Sequence, residues 1–82
     1  MLRIPGRVTF PFGYTVKVQQ VTDAVMDQIA ADCDGVWDVE TRTITLRKSL
    51  PSRRKAYILT HELQHALLDL THTFLDSGEA KP

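Results

Sequence analysis

The stretch Tyr57-Ile58-Leu59-Thr60-His61-Glu62-Leu63-Gln64-His65-Ala66-Leu67-Leu68-Asp69 decides how this chain of 82 residues is read. Ala56, Leu59, Leu63, Ala66, Leu67 and Leu70 recur at the spacing that gathers them on one face of an α-helix. The pattern predicts one long amphipathic helix from about Ser52 to Leu70. It is entered through Ser49-Leu50-Pro51-Ser52, a cap donor followed by a proline suited to a first turn. His61 and His65 project from roughly the opposite side, with Glu62 flanking them and Asp69 a turn further on. Ile58 and Leu68 are expected beside the histidines, where they would dry a site.

Working outward, Val36 to Val39 and Thr43 to Leu46 read as two strands joined by Glu40-Thr41-Arg42, a tight hairpin. Trp37 is expected to pack in the sheet or core. Tyr14, Val16 and Val18 alternate with Thr15, Lys17 and Gln19, so residues 14 to 21 form a half-buried strand. Thr22 and Asp23 then start a short helix on Val25, Met26, Ile29 and Ala30, reaching about Cys33. It ends before Asp34-Gly35, where glycine is expected to supply a turn. The first 13 residues hold Pro5, Gly6, Pro11 and Gly13 around Val8 and Phe10, which suits a short edge strand or an extended arm. Beyond Thr71 the pattern weakens, and Asp76-Ser77-Gly78 reads as a turn. There is no internal repeat.

Composition bounds the function. A chain of this length makes a single domain, 1–82, with a thin core whose stability is marginal unless a metal, a partner or a second copy adds to it. Ten basic and ten acidic side chains cancel, so the footprint of a general nucleic-acid binder is missing and none is expected as a partner. The basic triplet Arg53, Arg54 and Lys55 is read as a solvated helix face. Near-zero charge leaves little repulsion between copies and permits a homo-oligomer. Cys33 is the only cysteine, so an intrachain disulfide is excluded; it is expected as a small core side chain in a reducing compartment. No apolar run is long enough to span a bilayer and no signal segment is visible, which places the chain in the cytoplasm by expectation.

The chemistry lies in His61-Glu62-Leu63-Gln64-His65. Residues four apart on a helix stand one above the other, about 6 Å along the axis, so two imidazoles can turn onto one cation. Glu62, rotated by about 100° from His61, reaches the open side of such a metal rather than the metal itself. Two ligands and a general base thus come from a single helix. The plain alternative is a helix whose histidines and glutamate merely decorate an exposed face.

This helix resembles the active helix of ImmA/IrrE-type metallopeptidases and related minimal gluzincins. Gly35-Val36-Trp37-Asp38, Arg42-Thr43-Ile44-Thr45-Leu46 and Leu50-Pro51-Ser52-Arg53-Arg54 resemble that family's hairpin leading through a proline into the helix. The likeness spans roughly residues 14–70. It implies His61 and His65 as Zn2+ ligands, Glu62 as general base, a protein or peptide as substrate, and a phage- or prophage-borne regulator-cleaving setting. One departure stands out. The family takes a third ligand, a glutamate, from a later second helix, whereas only 17 residues follow His65 here. Asp69 and His72 lie too far along a continuous helix, so the chain is expected to break near Thr71 and fold back. Glu79 is then the favoured third ligand, as in SprT-like peptidases; Asp76, His72 or a partner chain are the alternatives.

The expectation is an α+β fold, a small and mostly antiparallel sheet packed on the long helix that bears the motif, plus one short helix. The expected function is zinc-dependent hydrolysis of a peptide bond. A catalytically inactive scaffold of the same fold that binds a regulatory protein is the alternative.

Overall fold

A computed structural model describes the backbone of residues 3–79 and the side chains of residues 3–72. The order of elements is β1 (Arg7–Thr9), a short 3-10 turn (Pro11–Gly13), β2 (Thr15–Val21), α1 (Asp23–Ala30), β3 (Gly35–Asp38), β4 (Thr43–Arg47) and α2 (Ser52–Glu79). The four strands form one sheet in the order β1-β2-β4-β3. β1 with β2 and β3 with β4 pair antiparallel, while the central pair β2 and β4 runs parallel, Val18 opposite Ile44. The α+β architecture expected from the sequence, mostly antiparallel with one long and one short helix, is the one observed.

The sheet divides by alternation. Val16, Val18, Ile44 and Leu46 point to one face and meet Ile58, Leu59, Ala66 and Leu70 of α2 in a continuous core that also buries Tyr14. Trp37, Val8 and Leu63 pack against its margin. Lys17, Gln19, Thr43 and Thr45 alternate with these residues and belong to the opposite face. There the Gln19 amide donates to the Thr45 hydroxyl at 2.9 Å. Met26 of α1 is fully buried but lies outside the α2 core, as befits a helix packed at the far side of β4.

α1 begins where the sequence indicates, with the Thr22 hydroxyl accepting from the Val25 N–H. It stops at Ala30 rather than near Cys33. Past its end, the Arg47 guanidinium donates to the carbonyls of Ala31 and Cys33, at 2.7 and 2.8 Å, and to Asp27 and Asp23 of the helix. Those last carbonyls therefore bond a cation instead of continuing the helical ladder, which also suits the helix dipole. The hydrogen bond that Arg47 donates to Asp27 above all, and then the one to Asp23, raises the pKa of Arg47 against the opposing effect of burial.

Four expectations are corrected. Gly35 does not turn the chain; it is the first residue of β3, and a Cβ there would stand 2.4 Å from Ile58 Cγ2 and 3.2 Å from Leu46 Cδ2. Glycine is needed for the close approach of strand and helix. Cys33 is exposed rather than part of the core. Ser49 directs its hydroxyl to Asp23, and the first α2 turn closes instead from Lys55 N–H to the Pro51 carbonyl. Finally, α2 does not break near Thr71 but runs on to Glu79, because nothing in Thr71 to Glu79 removes a backbone donor.

Candidate metal centre

The buried stripe of α2 is rotated from the one read off the sequence. Ile58 is buried in the core and Leu67 is about half exposed, the reverse of their expected places. The cause is the sheet's position: β3 comes against the Ile58 side of the helix, where Gly35 admits it. As a result, Glu62 and Asp69 lie half-buried on the shoulder facing β3, and the Trp37 indole N–H donates to Asp69 Oδ2. This tie between edge strand and helix had no signal in the sequence, since 32 residues separate the partners.

His61 and His65 stand together on the exposed flank beyond that shoulder. Their ring centroids are 5.0 Å apart and the rings are nearly perpendicular, at 81°. The helix thus places the two imidazoles as neighbours, with Glu62 between them in sequence and turned toward the sheet. Leu68 is 58% exposed and Tyr57 64%, so the histidines sit on an open surface and not in the dry recess expected from Ile58 and Leu68. An open groove of about 870 Å³ does exist, lined by Lys17, Gln19, Val36, Thr43 and Thr45 among others. It lies on the sheet face away from α2 and does not include the histidines.

Comparison with known proteins adds no identification: no family model, curated protein or solved structure matches this chain. Two neighbouring imidazoles at i and i+4 fit two of the three protein ligands that a catalytic zinc takes. Among the described residues no three His, Cys, Asp or Glu side chains converge to hold a metal. The side chains of Asp76 and Glu79 lie outside the described residues. The helical backbone nevertheless carries position 79 about 21 Å along the axis beyond His65, so the fold-back that would return Glu79 to the pair does not occur.

The basic triplet is partly engaged. Arg54 bonds Asp34 at 3.2 Å and lies over the Tyr57 ring. Among the described residues no helix is long and apolar enough to cross a membrane.

Proposed function

We propose that this chain is a zinc-dependent metallopeptidase domain of the HExxH type, with His61 and His65 as ligands, Glu62 as general base, and the third ligand supplied from outside its own helix. The observation that carries the reading is the His61–His65 pair, two exposed imidazoles with ring centroids 5.0 Å apart and a half-buried carboxylate beside them. A bound zinc ion would polarise the scissile carbonyl and bring the pKa of an attacking water to near ~7. Glu62 would serve as the base that accepts a proton from the attacking water and passes it to the departing amine. Helix spacing keeps Glu62 within one turn of both histidines.

β3 supports an extended peptide as substrate. Arg47 N–H bonds the Asp34 carbonyl, and antiparallel pairs alternate, so Gly35 and Trp37 turn their own N–H and C=O groups toward the outer edge. An extended segment can add there as a further strand, against the shoulder that holds Glu62.

A second reading is a non-cleaving module that binds a regulatory protein. Exposed Tyr57, Leu67 and Leu68 on the same helix favour it. Glu62→Gln separates the two. The peptidase reading expects zinc retention with hydrolysis of an unfolded or extended peptide lost. Equal hydrolysis by Glu62→Gln and the parent would overturn it.

A further inference from the structure

On one helix His72 lies about 10 Å along the axis beyond His65, too far to share a metal with the pair of its own chain. Around the helix, however, about 100° per residue places His72 within about 20° of both His61 and His65, midway between them. All three are exposed. The continuous α2 therefore displays three imidazoles in one line, two close together and one about two turns further on. One metal cannot reach all three within a single chain, whereas a reversed second copy can bring its own His72 level with His61.

Resting on the metal reading above, we propose that a second copy of this chain completes the site. Two α2 helices pack antiparallel about a two-fold axis, and each copy's His72 joins the other copy's His61 and His65. An axis level with Ala66 and Leu67 sets His61 opposite the other copy's His72. That level falls within about one residue of the midpoint of Ser52–Glu79, so the matching register is also the one of nearly complete overlap, roughly 39 Å of helix. Each dimer then has two equivalent sites, each with three imidazoles and one open position, the arrangement a catalytic zinc requires.

Charge favours a second copy as the occupant. The chain has ten cationic and ten acidic side chains, so copies do not repel. In this register the turn carrying Arg53, Arg54 and Lys55 is level with the turns that carry Asp76 and Glu79 in the sequence. Antiparallel helix dipoles add to the same preference. Exposed Tyr57 and Leu68, on the same side as the histidines, become covered by the pairing.

The test combines sedimentation, zinc stoichiometry and mixing of variants, with circular dichroism to confirm folding. All three histidines are exposed, so their replacement leaves the core intact. Zinc should convert the parent protein from monomer to dimer with two ions per dimer, and a chelator should reverse this. His72→Ala should lose ~100-fold or more in zinc affinity, at least what loss of an outer partner costs at a metal site, and should stay monomeric. Mixed with the His61→Ala/His65→Ala variant, which also fails alone, it should recover one zinc per heterodimer. A zinc-loaded parent that remains monomeric, or a His72→Ala chain that binds one zinc as the parent does, overturns the second-copy proposal and leaves the His61–His65 reading standing. Unchanged zinc binding by His61→Ala/His65→Ala, or no binding by the parent, overturns both.

Discussion

The indole N–H of Trp37 donates to the Asp69 carboxylate, joining the outer strand of the sheet to the helix that carries His61 and His65. Strand β3 is short, four residues, paired along its length with β4, and it also meets α2 through the close approach of Gly35 to Ile58.

Trp37→Phe keeps most of the packing surface and removes the donor. A hydrogen bond to a charged group contributes about 1.5–3 kcal/mol, and partial exposure moves the expected loss to the lower end of that range. Urea unfolding measures it. A midpoint equal to that of the parent would show that the bond adds no stability.

Gly35→Ala introduces a methyl group 2.4 Å from Ile58 Cγ2. Overpacking of this kind costs about 1–3 kcal/mol. Ile58→Leu moves the branch away from the strand, so the double variant should recover part of the loss in the same unfolding assay. Additive losses in the double variant would place the strain elsewhere.

Met26 is fully buried on the α1 side of the sheet, away from the core under α2. Met26→Ala should cost about 2–5 kcal/mol, the range for truncating a core side chain. Because α1 has few other buried groups, its amides should exchange faster with solvent than those of α2 near Ala66. Uniform acceleration across both helices would instead indicate one cooperative unit.

Arg47 gathers the end of α1 through Ala31, Cys33, Asp23 and Asp27. Arg47→Lys keeps the charge but cannot fork among these acceptors. The melting temperature should fall by several degrees, with Arg47→Met lower still. If lysine restores the parent value, charge alone accounts for the contact.

On the proposed reading zinc is held by the folded helix alone, so saturating metal should raise the melting temperature. At a free concentration of about 100 times Kd the gain is about 2.7 kcal/mol. Calorimetry with and without a chelator reads it directly. Equal melts for metal-loaded and stripped protein would contradict ligation by His61 and His65.

Periodicity by itself determined the elements. The alternation from Tyr14 to Val18, the cap at Thr22, the hairpin around Thr41 and the long helix through Ala66 were all legible, because each depends on neighbours within a few residues. The i, i+4 placement of His61 and His65 was legible for the same reason, since helix geometry alone makes them adjacent. Tertiary structure decided which way α2 is rolled. Its apolar residues cover more than half of the circumference, so periodicity leaves Ile58 and Leu67 nearly equivalent, and the close approach of Gly35 selects Ile58 for burial. That roll sets Glu62 and Asp69 against β3 and leaves the histidines in the open. The course of the chain after Thr71 was decided in the same way: weak local signals allowed a break, and the helix continues because its ladder of backbone hydrogen bonds meets no proline to interrupt it before Glu79.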